Sequence, residues 1–570
     1  MSASNGDGSY LLSATDLRVS FGSGPNAREV VSGISFGVRA GECLAIVGQS
    51  GSGKSVTART LIGLTGDGSR VTGRLAFSGL DLASLTERQW RAIRGVRIGF
   101  ILQDALVSLD SVRPVGREIA EPLRLHKYGN AARRRARVIE LLRQVGVPEP
   151  EMRARQLPGE LSGGLRQRAL IATAIALDPQ VLIADEPTTA LDVTIQAQIL
   201  GLLAESKQRG RALVVISHNL AVVSRLADRV AVMQDGVIVE QGATADILGR
   251  PQHPYTRSLL DAIPSAHSRG TRLSDPADPA SRRVAAVPRI TARPPEKTGP
   301  APLLAATDLV KRYKGPDGKV RTVVDKVSFD LWPGETLGVV GESGSGKTTT
   351  GRIVLAVTQP DDGEVLLNGQ PWTGISEGRR RARRRHVGVV YQDPLSSFDP
   401  RWTVRRIVSD ALPDGYADAG RRAGRVRELL HQVGLADDTL ERRPLLLSGG
   451  QRQRVAIARA LAPEPEIIVC DEPVSALDVS IQAQVLDLFA DLQDELGLSY
   501  IFISHDLGVI HHMSDRVLVM TNGRVVEQGQ AEQVFSNPAH PYTQRLLAAL
   551  PRVGLDRELA GSDPAYDRSA

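Results

Sequence analysis

Two glycine-rich loops in this chain end in a lysine and a hydroxyl: Gly48-Gln-Ser-Gly-Ser-Gly-Lys54-Ser55 and Gly341-Glu-Ser-Gly-Ser-Gly-Lys347-Thr348. This spacing suits a phosphate chain, because small residues let a loop wrap closely with its amides turned inward. Gly48, Ser50, Gly51, Ser52 and Gly53 form the first candidate cradle, and Gly341, Ser343, Gly344, Ser345 and Gly346 the second. Lys54 and Lys347 are placed to meet β- and γ-phosphates, while Ser55 and Thr348 supply hydroxyls to Mg²⁺. Asp185-Glu186 and Asp471-Glu472 each close an apolar run. Each Asp is expected to organise Mg²⁺ and water, and each Glu to orient or deprotonate the attacking water. Gln103 and Gln392 are expected to link metal, water and a moving segment; His218 and His505 are expected to sense the γ-phosphate. Together these groups divide charge neutralisation from nucleophile placement, which is what phosphoryl transfer from ATP to water requires.

The kit occurs twice in the same order. Leu161-Ser162-Gly163-Gly164 is matched by Leu447-Ser448-Gly449-Gly450, and both Ser162–Ser448 and Asp185–Asp471 are 286 residues apart. An LSGG segment has no evident use inside its own half; it makes chemical sense as a cradle offered to a nucleotide held by the other copy. The positioning elements follow. Leu44-Ala-Ile-Val47 and Leu337-Gly-Val-Val340 read as buried strands feeding the phosphate loops, with helices starting at Val56 and Thr349. Val181-Leu-Ile-Ala184 and Ile467-Ile-Val-Cys470 read as strands that end at the acids. Short apolar strands alternating with helices indicate an α/β core, with added antiparallel strands near the start of each half.

At 570 residues the chain exceeds what one hydrophobic core serves, and the repeat sets the domains. We expect a flexible N-terminus at 1–9, a first domain at 10–262, a linker at 263–303, a second domain at 304–550 and a tail at 551–570. The linker carries many prolines, which interrupt regular structure, and Val284-Ala-Ala-Val287 is its one apolar anchor candidate. No apolar run reaches the roughly 18 residues of a membrane span, and the N-terminus lacks the basic and apolar segments of a secretory signal. A cytosolic location follows. Cys43 and Cys470 are too few for a disulfide scaffold or the four thiolates of an iron–sulfur cluster. The formal charge is only +6, with arginine concentrated at Arg133–Arg137 and Arg379–Arg385. Without interleaved aromatics these clusters read as solvated helix or partner-facing surface, and no nucleic acid is expected.

The phosphate loops, glutamines, LSGG signatures, acid strands, Ala-Leu-Asp segments and histidines resemble the ATP-binding-cassette superfamily across both halves. The resemblance implies two P-loop domains, each with a RecA-like core, an antiparallel β subdomain and a helical signature subdomain. It further implies a head-to-tail sandwich, in which Lys54 works with Ser448, Gly449 and Gly450, and Lys347 with Ser162, Gly163 and Gly164. Phe21 and Tyr313 would stack on adenine, and Asp192 and Asp478 would couple the sites. Leu165 stands where the second copy has Gln451, a change expected to make the Lys347 site less active without killing it.

Gln252-His-Pro-Tyr-Thr-Arg257, Ala539-His-Pro-Tyr-Thr-Gln544 and Gln392-Asp-Pro-Leu-Ser-Ser-Phe-Asp-Pro400 look like ATPase subunits of the bacterial oligopeptide, dipeptide and nickel importer family, fused end to end. That likeness implies a peripheral place on the cytoplasmic face of the inner membrane. The implied partners are two integral membrane permeases and, through them, an extracytoplasmic substrate-binding protein. The permease contact is expected around Asp104–Leu125 and Asp393–Ile407, altered in the first half because Pro394 has no counterpart there. Oligopeptides or dipeptides rank first as cargo, with nickel, glutathione or another small solute as the alternative. A tandem ATPase acting on ribosomes or DNA is the competing class. Many members look to carry an iron–sulfur cluster after a nucleotide domain; Ile263–Pro300 contains no cysteine, so none is expected here.

Overall fold

The structure is a computed structural model that describes residues 10–22, 27–103, 108–188, 191, 193–265, 268–274, 301–314, 318–416 and 418–548. The expected N-terminus at 1–9, the tail at 551–570, the Val284–Val287 anchor, Asp192 and the start of the first permease segment at Asp104 lie outside these residues. The chain divides into two compact units, the first ending at Leu260 and the second beginning at Asp261.

In the first unit a six-stranded sheet has the spatial order Val237–Ala243, Arg229–Gln234, Cys43–Val47, Ala212–Ile216, Val181–Asp185, Ile98–Ile101. Cys43–Val47 is parallel to both its neighbours, and only the Val237–Ala243 edge is antiparallel. Every residue of Cys43–Val47, Val181–Asp185 and Ala212–Ile216 is buried. Burial on both faces explains why these strands are continuous apolar runs without polar alternation. A separate antiparallel sheet orders Arg28–Val38, Leu12–Phe21, Ser69–Phe77 and Leu80–Asp81. One cluster joins its inward residues, such as Leu12, Leu17, Val31 and Phe77, to Leu44, Ile46 and Ile183 of the main sheet.

A third layer is helical. Val115–Leu125 turns Val115, Ile119 and Leu123 inward, while Ala131–Gln144 turns in Val138, Leu141 and Leu142. The three- and four-residue spacings form one apolar stripe per helix. Asn130 starts the latter helix by accepting a hydrogen bond from the Arg133 amide at 2.9 Å, an ordinary N-cap. These helices share a buried cluster with Ala169, Leu170 and Ile171 of the helix Gly163–Ala174.

The second unit repeats the plan. Its main sheet runs Val387–Val390, Ile467–Asp471, Ser499–Ile503, Thr336–Val340, Arg516–Thr521, Arg524–Gln530. Cys43 and Cys470 are both fully buried in their strands, and burial pushes each thiol's pKa well up. Phe489 of the helix Val479–Leu496 packs edge-on against Tyr500 at 5.6 Å and Phe502 at 5.7 Å. The Tyr500 hydroxyl donates to the Phe489 carbonyl at 3.0 Å, which satisfies its buried polar end.

One arginine cluster is only in part the solvated surface expected of it: Arg379, Arg381 and Arg385 are exposed, but three others are engaged. Arg380 is only 2% exposed; its guanidinium donates to the Trp372 and Ile375 carbonyls and pairs with Glu377. Arg383 donates to Pro371 and Leu367, and Arg384 to Leu355 and Glu377. The planar, five-donor fork satisfies several loop carbonyls at once, so these arginines tie the hairpin Asp362–Leu367/Gln370–Pro371 to the core. A charge run of this kind is indistinguishable in sequence from a wet one.

Phe489→Ala removes a buried ring that two aromatic neighbours cannot collapse onto, so the second unit should lose about 3–5 kcal/mol of stability. Three of the four tryptophans, Trp332, Trp372 and Trp402, lie in that unit. Their fluorescence in a denaturant titration should shift its midpoint, while the first unit's transition stays put.

Candidate functional site

Each phosphate loop is clamped between two backbone carbonyls. Gly48 has φ 152°, and a Cβ there would lie 2.0 Å from the Met233 carbonyl oxygen; Gly341, at φ 151°, would meet Met520 at 2.1 Å. Gly53 and Gly346, at φ 99° and 102°, would bring a Cβ within 2.7 Å of the Val30 oxygen and 2.5 Å of the Val323 oxygen. No side chain fits any of the four positions, which is the physical reason for glycine at both ends of the motif. The helices Lys54–Thr60 and Lys347–Val354 start directly after the second clamp.

Lys54 Nζ donates to the carbonyls of Gly48 at 2.9 Å and Gln49 at 2.7 Å; Lys347 Nζ does the same to Gly341 at 2.7 Å and Glu342 at 2.8 Å. Both ammonium groups are thereby aimed along the inside of the loop. Ser52 and Ser345 are buried beneath it, while Ser50, Gly51, Ser343 and Gly344 are exposed. Ser55 Oγ donates to Asp185 Oδ1 at 3.1 Å, and Thr348 Oγ1 to Asp471 Oδ1 at 3.2 Å. Burial raises the pKa of both aspartates, against the hydroxyl bonds that lower it. A hydroxyl and a carboxylate at this separation are hard oxygen donors of the kind Mg²⁺ takes, alongside phosphate oxygens. Among the described residues no cluster of three or more His, Cys, Asp or Glu is arranged to hold a metal by itself.

The other predicted groups converge on the glutamates. Glu186 and Glu472 adopt φ 49° and 50°, unusual for residues with a side chain, and their amides donate to Ile216 and Ile503 of the next strand at 2.9 Å. Gln103 Nε2 donates to Glu186 Oε2 at 3.0 Å; Gln392 Nε2 donates to Glu472 Oε2 at 2.9 Å. His218 Nδ1 lies 3.0 Å from the other oxygen, Glu186 Oε1, whereas His505 Nδ1 lies 3.1 Å from Glu472 Oε2, the oxygen that Gln392 also meets. Each carboxylate is thus held in one orientation by an amide and an imidazole. Burial would lower the His505 pKa, but the bond and charge of Glu472 outweigh it and the net shift is upward. Glu472 moves downward, because His505 outweighs the burial that would raise it.

The signature residues take a different place. Ser162 and Ser448 are exposed N-caps, accepting from the amides of Leu165 at 3.4 Å and Gln451 at 3.2 Å. Gly163 and Gly449 are exposed, whereas Gly164 and Gly450 press on Ile195 and Ile481, where a Cβ would approach to 2.7 and 2.5 Å. Gln451 returns a bond to the Ser448 amide at 3.1 Å, closing a capping box; Leu165 cannot, and packs against the helical cluster instead. Phe21 is partly buried against the sheet core, while Tyr313 is 42% exposed with Lys311 5.6 Å from its ring. Asp478 caps its helix by accepting from the Ile481 amide at 3.1 Å.

Two contributors escaped sequence reasoning. The Tyr255 hydroxyl accepts a hydrogen bond from the Gln49 amide, and the Tyr542 hydroxyl one from the Glu342 amide, both at 3.0 Å. The second residue of each phosphate loop is therefore anchored by the His-Pro-Tyr-Thr segment some 200 positions later. Glu240 and Glu527 hold those segments in place, accepting from Gln252 and Ala539 at 2.7 Å and from His253 and His540 at 3.2 and 3.1 Å. The recurrence of the tetrapeptide was the available signal; its partner was not readable.

A family model described as "ABC transporter" matches residues 31–189 and 324–475. The chain belongs to the ATP-binding-cassette transporter family. A second model, "Oligopeptide/dipeptide transporter, C-terminal region", matches 239–286 and 526–570, the parts that carry the two tyrosines. The cassettes are therefore of the oligopeptide, dipeptide and nickel importer type, fused in tandem, and the protein is an ATP-hydrolysing subunit. Similar proteins include the "Glutathione import ATP-binding protein GsiA" of Escherichia coli (strain K12) and that of Shigella sonnei (strain Ss046). Each is 43% identical over 96% of this chain and 90% of its own length. Among the described residues no helix is long and apolar enough to cross a membrane.

Two outcomes follow from the site. In an NMR pH titration His505 should titrate above its ordinary 6.5, and Glu472→Gln should bring it back down. The stability His505 contributes is complete below 6.5 and lost as pH rises through the raised value. That from Glu472 is present above 4.5 and lost as pH falls through its lowered value. Separately, Tyr542→Phe removes an acceptor worth about 1 kcal/mol. A fluorescent ATP analogue should then bind the second cassette roughly fivefold more weakly.

Proposed function

We propose that this chain powers a binding-protein-dependent importer from the cytoplasmic face of the inner membrane, and that its cargo is glutathione. What carries the cargo reading is the 43% identity, across both cassettes and the joint, to proteins named for glutathione import. Glutathione is itself a tripeptide, so the reading agrees with the oligopeptide/dipeptide model that matches the ends of both cassettes. That same model favours a broader short-peptide cargo as the second reading.

The two ATP sites are composite, each pairing one half's phosphate loop with the other half's signature. The exposure of Ser162, Gly163, Ser448 and Gly449 supports this, because it leaves the cradle accessible to a nucleotide held elsewhere. Bound Mg²⁺–ATP supplies the phosphoryl group, and the metal neutralises its charge. Lys54 and Lys347 would exchange their loop carbonyls for phosphate oxygens, while Ser55 with Asp185 and Thr348 with Asp471 would hold the metal. Glu186 and Glu472 accept the proton of the attacking water, with Gln103 and Gln392 fixing one side of each carboxylate. His218 and His505 add a second contact to each carboxylate and report on the γ-phosphate. Phe21 and Tyr313 stack on adenine, and Asp192 and Asp478 couple the sites. Closing and opening of these seams biases two permeases between two accessible states, so the work is a differential stabilisation of conformations. The substrate-binding protein joins through the permeases, and no nucleic acid or iron–sulfur cluster takes part.

Glu186→Gln and Glu472→Gln should each lower single-turnover hydrolysis by about 10²-fold or more at the altered site, the range of a lost general base. Retained activity in both would remove these acids from the chemistry. Vesicles carrying this chain with its permeases and receptor should take up labelled glutathione with ATP, and unlabelled glutathione should compete better than dipeptides. Uptake of dipeptides alone would select the second reading.

A further inference from the structure

The segment that leaves the first cassette is seated on the second. Ala262 and Leu273, each 3% exposed, belong to the same buried cluster as Phe489, Leu492 and Ile510. Between and beside them the polar contacts are specific. Asp487, 5% exposed, accepts from the Leu273 amide at 3.1 Å and from the Ser274 amide and hydroxyl at 2.9 and 2.5 Å. Asp491, 6% exposed, pairs with Arg272 at 2.5 Å. Ser268 Oγ lies 3.0 Å from His512 Nδ1, and Arg269 reaches Asp515 at 3.2 Å. The Pro264 carbonyl runs so close to Gly508 that a Cβ there would be 2.5 Å from its oxygen. Two nearly buried carboxylates are costly unless hydrogen-bonded, and this segment provides their partners.

The receptor surface is made of two helices with mechanistic neighbours. Asp487 and Asp491 lie on Val479–Leu496, which Asp478 caps. Gly508 and His512 lie on Leu507–Met513, two residues after His505. The first cassette keeps an acid at two of the corresponding places, Glu205 for Asp491 and Asp228 for Asp515, but differs at the three others. Gly201 stands for Asp487, Ala221 for Gly508 and Arg225 for His512. The first lacks the acceptor, the second adds the Cβ that would strike the Pro264 carbonyl, and the third replaces an imidazole with a cation.

We propose that residues 262–265 and 268–274 form a strap, recognised by the second cassette alone, that holds the two halves together in the absence of nucleotide. A tether docked close to its own partner keeps the effective concentration of the halves high even when the ATP seams are open. The seating also places the strap directly against the helix that follows His505.

The test uses the full chain with a specific protease site inserted between residues 275 and 300 and an affinity tag on one half. After cleavage in EDTA, without nucleotide, the wild-type halves should co-elute. Arg272→Glu should abolish co-elution, and adding Asp491→Arg should restore it. Separation of the cleaved wild-type halves, or unchanged co-elution in Arg272→Glu, would overturn the strap. Hydrogen exchange on the uncleaved chains gives a second reading. Faster exchange over Leu507–Met513 in Arg272→Glu, reversed in the double variant, supports the proposal, and equal rates contradict it. Nucleotide is absent throughout, so neither result depends on how ATP is used.

Discussion

The structure depends on a close approach between backbones. In each cassette a carbonyl from the antiparallel sheet and another from the main sheet's edge pair press on the phosphate loop, leaving no room for a Cβ at Gly53, Gly346, Gly48 or Gly341. This contact fixes where the loop helix starts, and hence where Lys54 or Lys347 and the adjoining hydroxyl project. The antiparallel sheet is therefore part of the site's geometry as well as its wall. The tyrosine from the end of each cassette completes the frame by anchoring the loop's second amide. Three separate parts of the chain hold one turn of backbone, which is how a flexible glycine-rich sequence becomes a preorganised cradle.

The same logic governs the glutamates. A carboxylate that is to take a proton from water needs a set orientation, and Glu186 and Glu472 reach theirs through a left-handed backbone that a strand hydrogen bond holds in place. An amide and an imidazole then fix the side chain, on separate oxygens of Glu186 and on one shared oxygen of Glu472. Strain in the backbone and order in the side chain are two parts of one arrangement. The halves nevertheless differ where they need not be equal. Gln451 closes a capping box that Leu165 cannot, and the acidic receptor around Asp487 has no equivalent at Gly201.

Much of this was legible in the sequence because the chemistry is local. A phosphate loop is a run of eight residues, and the acids sit at the ends of apolar strands, so residue type and order suffice. The α/β core was readable from fully apolar strands for the same reason. What escaped was long-range. Nothing in His-Pro-Tyr-Thr says that its hydroxyl reaches a loop amide two hundred residues earlier, and nothing in Arg379–Arg385 says that Arg380 is buried among carbonyls. Pairings between charged groups on distant segments, such as Arg272 with Asp491, leave no periodic trace, because a single arginine on a polar stretch looks the same docked or solvated. In the structure Ser162 and Ser448 are exposed N-caps, and their proposed use by the other half's nucleotide rests on each being a cradle without a local ligand.

The most direct test of the account is a structure of the Glu186→Gln/Glu472→Gln chain with Mg²⁺–ATP. The account predicts two nucleotides, one γ-phosphate contacted by Lys54 together with Ser448 and Gly449, the other by Lys347 together with Ser162 and Gly163. Nucleotides contacted by one half alone, in a wild-type chain shown to hydrolyse ATP in that same separated form, would contradict it.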